Sequence, residues 1–200
     1  MDLEAVNRSV FLLVNAPANL AGVPLAMAIG AASYGDVVLI ALAVGKVALS
    51  ASPERRSLVW VAVATALAMA VNHLIGPWVA HPRPFAVGLG HTFISHRPNA
   101  SFPSDHATFM WTIALGLAAL WPRRWSSWVA VGLAVLTSWA RVFVGLHFPF
   151  DILGSVGVAA CSLVACLPIR RIGRLRVGER HPPSAPSRPE SVPQWPRRRQ

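Results

Sequence analysis

An all-α bundle of membrane-crossing helices is the fold class this sequence predicts, and three observations carry it. Of the 200 residues, 54% are hydrophobic and only 13% charged, against roughly a quarter charged in soluble domains. Apolar runs recur along the chain near the roughly 17–25 residues that a helix needs to cross a bilayer. The basic residues are segregated: nine of the 18 lie between Arg170 and Arg199. The net charge of +10 is therefore not spread over a surface that reads nucleic acid, and that class is excluded.

The elements follow in order. The first 33 residues are interrupted by Asn15, Pro17 and Asn19. They predict either one kinked span or an interfacial helix followed by a short span. A short run follows at 37–50, then clear runs at 57–79, 106–121, 125–145 and 152–169, giving five or six transmembrane helices. Residues 1–8 carry acids and no basic region ahead of the apolar stretch, which is not the pattern of a cleavable signal peptide. Cys161 and Cys166, five positions apart in the last run, predict core or lipid-facing side chains and not a disulfide. Residues 1–177 form one integral membrane domain. Residues 178–200 are polar and proline-rich, which predicts a disordered tail.

With alternating crossings, the Arg55–Arg56 pair, the Arg123–Arg124 pair and the basic tail share a side, and the excess of arginine makes that side cytoplasmic. The tail then serves as a topogenic, lipid-attracted segment. Trp60, Trp121, Trp125 and Trp128 fall near the same boundary, as an aromatic belt does. The opposite, extracytoplasmic side receives the loop 80–103 and the short connection "HFPFD".

The remaining ionisable residues gather at these outer ends. Arg83 follows one span, Ser104, Asp105 and His106 open the next, Arg141 lies in the last turns of another, and His147 and Asp151 flank its exit. Most have an ordinary reading: Arg83 as an interfacial snorkelling arginine, Ser104 and Asp105 as helix N-caps, His106 as an exposed first-turn side chain, His147 and Asp151 as a turn pair. Arg141, between almost wholly apolar neighbours, is harder to dismiss. Together, at one level and on one side, they read as a site, because a charge deep in a span costs about 2.5–3.5 kcal/mol on insertion scales. Two arginines offer forked donors for phosphate oxygens. Ser104 at a helix start adds a hydroxyl and free backbone N–H groups. Two histidines divide nucleophilic and acid roles near neutral pH, and a carboxylate fixes the tautomer of one of them. No closely spaced His/Cys set or acidic cage suggests a metal, so phosphoryl transfer through a phosphohistidine, without metal or other cofactor, is the chemistry expected.

These residues resemble the type 2 phosphatidic acid phosphatase superfamily, whose ordered motifs are Lys-x6-Arg-Pro, Pro-Ser-Gly-His and Ser-Arg-x5-His-x3-Asp. Here they read "RPF" at Arg83, "PSDH" at Pro103–His106 and "ARVFVGLHFPFD" at Ala140–Asp151. The "PSDHA" and "HPRPF" contexts look most like the bacterial undecaprenyl-diphosphatase branch. The resemblance implies His147 as nucleophile, Asp151 as its partner and His106 as acid and then base, with Arg83, Ser104 and Arg141 on the phosphoryl oxygens. It also implies a polyprenyl diphosphate as the lipid partner, within the cell membrane and at its outer face. Three positions depart from the pattern. Gly76 stands in place of the motif lysine, with Asn72, His73, His81 and Arg97 the polar residues at hand. Asp105 replaces glycine and, like Arg97, is an auxiliary candidate; Ala140 replaces serine. A phosphatase of other lipid phosphates, such as phosphatidylglycerophosphate or phosphatidic acid, is the nearer alternative, and a non-catalytic phospholipid binder the more distant one.

Overall fold

In the computed structural model, which describes residues 2–49 and 52–170, the described elements are six α-helices and one short 3₁₀ turn. They are α1 (Leu3–Val14), α2 (Val23–Leu49), α3 (Ser52–Val79), α4 (Asp105–Leu120), α5 (Trp125–Phe143) and α6 (Pro149–Ala165). The basic tail 178–200 lies outside the described residues.

The N-terminal segment is not one kinked span: a short helix, α1, is separated by a turn from the long α2. The side chain of Asp2 accepts a bond from Glu4 N–H at 3.0 Å and starts α1. Its 12 residues rise only about 18 Å, short of a bilayer core. The helix lies against the ends of α5 and α6, burying Phe11 on Val142 and Phe148. Asn15 fastens its exit: Nδ2 donates to the carbonyls of His91 and Phe143 at 2.9 and 3.0 Å, and Oδ1 accepts from His91 N–H at 2.7 Å.

The short run expected at 37–50 is part of a longer helix. Gly35 and Asp36 break the hydropathy pattern, yet α2 continues through them for 27 residues. The continuity has a packing reason, because Gly35 is where α2 meets α5. A Cβ there would run into the Thr137 side chain, with Thr137 Cβ at 3.2 Å. Helices α2, α3 and α5 are long and apolar enough to cross a membrane. At 16 and 17 residues α4 and α6 are apolar but shorter.

Helix α4 packs against α3, α5 and α6, and its buried side sets small residues (Ala107, Thr108, Ala114 and Gly116) between the larger Met110, Ile113 and Leu117. Small residues let backbones approach closely where the surrounding medium is itself apolar. At Gly116 a Cβ would stand 2.8 Å from the Val61 methyls. Larger apolar residues on α2, α3 and α5 (Val37, Leu42, Val59, Val63, Val135 and others) face outward instead, the inverse of a water-soluble domain.

The arginine-rich connections do meet at one end of the bundle. Arg124 pairs with Glu54 at 2.7 Å, and Arg55 donates to the last α2 carbonyls, Val47 and Ala48, at 3.1 and 3.2 Å. Trp125 and Trp128 are exposed there, as a belt requires. Trp60 is the exception: it is buried in the core and donates its indole N–H to the Leu163 carbonyl at 3.2 Å. Cys166 is buried and Cys161 exposed, both free thiols.

Candidate active site

At the other end, the C-terminal ends of α3 and α5, the starts of α4 and α6 and the middle of α2 come together. His147 sits at the centre because the chain between α5 and α6 is turned sharply. Val144 N–H bonds back to the Ala140 carbonyl at 2.9 Å, and Leu146 N–H to the Arg141 carbonyl at 3.0 Å. Gly145 makes the turn at φ +85, and a Cβ there would collide with the His91 carbonyl, so only glycine suits the position. Pro149 then opens α6, and Asp151 Oδ2 accepts from Phe148 N–H at 2.8 Å. One carboxylate therefore caps the helix and faces His147.

The two ring nitrogens of His147 see different surroundings. Nδ1 lies 3.0 Å from the Ser101 carbonyl and 3.5 Å from Asp151 Oδ2, so it carries the proton and donates. Nε2 is met by donors: Arg83 Nη1 at 3.2 Å, Arg141 Nη2 at 3.3 Å and Ser104 Oγ at 3.2 Å. A nitrogen surrounded by three donors presents its lone pair. His147 is 1% exposed. Burial, and then the two guanidinium groups, push its pKa down from 6.5 to about 3, so the imidazole is neutral across the physiological range.

Each arginine is held by backbone acceptors. Arg83 Nε donates to Asn99 Oδ1 at 2.9 Å, and its Nη groups donate to the carbonyls of Leu146 at 3.0 Å and Ala100 at 3.4 Å; burial lowers its pKa. Arg141 Nη1 donates to the Ala32 carbonyl on α2 at 3.0 Å. Arg141 Nε is buried with no partner among the described residues, a donor left available for an incoming oxygen. Ser104 is the N-cap of α4 and is fixed by Ser155 Oγ, which accepts its N–H at 2.9 Å. The first N–H groups of α4 open beside it, a standard environment for an anion.

His106, the second residue of α4, makes no bond to His147; its Nε2 lies 3.6 Å from Asp36 Oδ2 on α2. Asp105, the residue with no assignment from the pattern, is held by α3: its Oδ1 accepts from Asn72 Nδ2 at 3.0 Å. It lines a cavity of about 350 Å³ together with Gly76, Asn72, His73 and Asn99. Among the described residues, no arginine or lysine lines this cavity. Arg97 is exposed and its side chain makes no hydrogen bond or ion pair among the described residues; its carbonyl bonds His96 Nδ1 at 3.0 Å.

Several partners were not foreseen. Ser101 contributes its carbonyl to His147 Nδ1 and its hydroxyl to Asp151 Oδ2. Asn99 orients Arg83. His81, a nominal substitute for the lysine, bonds Asp151 Oδ1 at 3.3 Å and Glu4 of α1 at 3.4 Å. The bond to Asp151 raises the pKa of His81. Asn99 and Ser101 lie in an aperiodic loop that gives no pattern to read. Asp36, an acid within an apolar run, was the one signal available in the sequence.

Two arginines, two histidines and a helix-capping serine, gathered at one end of an all-helical bundle, are the donor and nucleophile types that phosphoryl transfer uses. The PAP2 superfamily model matches residues 57–172, and the chain belongs to that superfamily. It is 34% identical over 165 residues to the YbjG protein of Escherichia coli, covering 82% of this chain and 81% of that one; its name gives it an undecaprenyl-diphosphatase activity provisionally. It is 37% identical over 106 residues to the undecaprenyl-diphosphatase BcrC of Bacillus subtilis, covering 53% and 54% of the two chains. The crystal structure of Aquifex aeolicus LpxE shares the fold, with a TM-score of 0.66 at 21% identity over 82% of this chain and 95% of that one.

Proposed function

We propose that this PAP2 membrane phosphatase removes the terminal phosphate of undecaprenyl diphosphate, or a similar polyprenyl diphosphate, at the extracytoplasmic face. The observation that carries the reading is the convergence of Arg83, Arg141 and Ser104 on the lone pair of His147 Nε2. Donors that surround a neutral nucleophile in the free protein are placed for the oxygens of a phosphoryl group that it attacks.

His147 Nε2 attacks the terminal phosphorus, and the bond to the bridging oxygen breaks as His106 delivers a proton to the departing lipid monophosphate. Asp151 and the Ser101 carbonyl keep the proton on Nδ1 and favour the positive ring that forms. The three donors and the open N–H groups of α4 take the oxygens in flight. Water then attacks the phosphohistidine while His106 takes its proton, and inorganic phosphate leaves. The names of the relatives support the diphosphate substrate, and the arginine-rich opposite end supports an outward-facing site.

The test is a panel of lipid phosphates given to the detergent-solubilised chain, with His147→Ala beside it. Polyprenyl diphosphate is expected to turn over fastest, and His147→Ala to lose at least about 10³-fold. Wild-type phosphate release from the alanine variant removes the mechanism; preference for phosphatidylglycerophosphate or phosphatidic acid removes the substrate.

A further inference from the structure

Asp36 has no place in the motifs and none in the mechanism above. It is the fourteenth residue of a 27-residue helix, and an acid so placed in an apolar span is costly unless it meets a partner. Its placement is fixed by packing. Gly35 seats α2 against Thr137, Thr137 Oγ1 donates to the Ala31 carbonyl at 3.2 Å, and Arg141 Nη1 donates to the Ala32 carbonyl. Asp36 Oδ1 accepts from Val37 N–H at 2.8 Å, which turns Oδ2 toward His106 Nε2 at 3.6 Å.

The charged and titratable groups acting on His106 are Asp36 from α2, Arg141 from α5, Asp105 from its own helix and His96 from the loop. Arg141 opposes a positive charge on the ring, and Asp105 is already held by Asn72. Asp36 is the carboxylate within ion-pair distance of the ring. With Nε2 facing this carboxylate, Nδ1, which makes no hydrogen bond among the described residues, is left to exchange a proton.

We propose that Asp36 is a positioning residue that holds His106 through Nε2, so that Nδ1 gives the proton to the leaving group and later takes one from water. The assignment rests on the phosphohistidine reading above. It makes the site a pair of opposed His–Asp units: His147 is held at Nδ1 and acts through Nε2, and His106 the reverse. Protons balance: the ring starts the first step with a proton on each nitrogen, Nδ1 gives one to the leaving group and regains one from water in the second step, and Nε2 keeps its own facing Asp36.

The test uses the full chain in detergent with Asp36→Asn, Asp36→Glu, His106→Ala and the Asn/Ala double variant. Asp36→Asn is expected to lower kcat on polyprenyl diphosphate about 30-fold with KM within about twofold, a part of what an acid–base group supplies. The Glu variant recovers part of the loss, and the Asn change costs nothing further in the His106→Ala background. The burst of nitrophenol from p-nitrophenyl phosphate, whose leaving group needs no proton, stays near wild type. Independently of turnover, ¹⁵N-histidine NMR is expected to show His106 protonated on Nε2, and Asp36→Asn to shift that tautomer. An unchanged tautomer in Asp36→Asn, or wild-type kcat on the diphosphate, overturns the proposal. Failure of His147→Ala to lose activity overturns the phosphohistidine reading instead, while the tautomer still decides the Asp36–His106 pairing.

Discussion

Arg83 and Arg141 at the site end are 5% and 3% exposed, whereas Arg124 at the opposite end keeps 48% of its side chain exposed while reaching Glu54 at 2.7 Å. The residue type is the same and the physics differs. Exposed pairs of this kind contribute about 0–1 kcal/mol and are screened by salt. Buried guanidinium groups lose hydration and are held in place by carbonyls and an amide, so their remaining capacity is directed at one ligand. Charge number separates neither end from the other; burial does. At one end arginine stays solvated on the surface, and at the other it is buried with its N–H groups turned to His147 Nε2.

Four measurements test that contrast. The largest effect is expected from Asp151→Asn, which keeps the shape but spoils the tautomer of His147, with phosphate release falling about 10³-fold; a loss under about tenfold means that the Ser101 carbonyl alone orients the ring. Next, Arg141→Lys keeps the charge and loses the fork, lowering kcat about 10²-fold. Full activity with lysine there reduces the arginine to a bulk charge.

The third concerns pH. The unfolded His147 imidazole binds a proton below its ordinary 6.5, while the folded one does so only near 3. Between these values the unfolded state binds more protons, so stability falls as pH drops through that window. Melting in detergent is expected to decline over it, and less steeply in His147→Gln; parallel curves for the two proteins contradict the burial assigned to the ring. The raised pKa of His81 acts with the opposite sign. It adds stability below 6.5 that is lost as pH rises through its folded value, and His81→Gln isolates it. The smallest effect is Arg124→Gln, with stability in detergent within about 0.5 kcal/mol of wild type; a large drop there removes the contrast between the ends.

Much of this was legible before the fold. Arg141, His147 and Asp151 are close in sequence across one turn, so their spacing alone places them together. Ser104 announces a helix start by residue type. The partners that complete the site were not legible, because they come from distant elements: Asn72 from α3 for Asp105, Asn99 and Ser101 from an irregular loop, and Asp36 from α2. Hydropathy placed the start of a short span after Asp36, since it scores a charge as a break. It has no means to register that a histidine and a close contact at Gly35 make that charge tolerable. Asp105 was unreadable for a related reason, as its charge makes sense only with the Asn72 amide beside it.

The small N-terminal helix α1 acts as a brace on the site end of the bundle. Asn7 Oδ1 accepts the Phe150 N–H at 3.0 Å, and Glu4 reaches His81, which in turn bonds Asp151. Residues far apart in the chain are thus clasped together on one side of the bundle. The brace is indirect: α1 reaches the Asp151 carboxylate through a single intervening imidazole, that of His81.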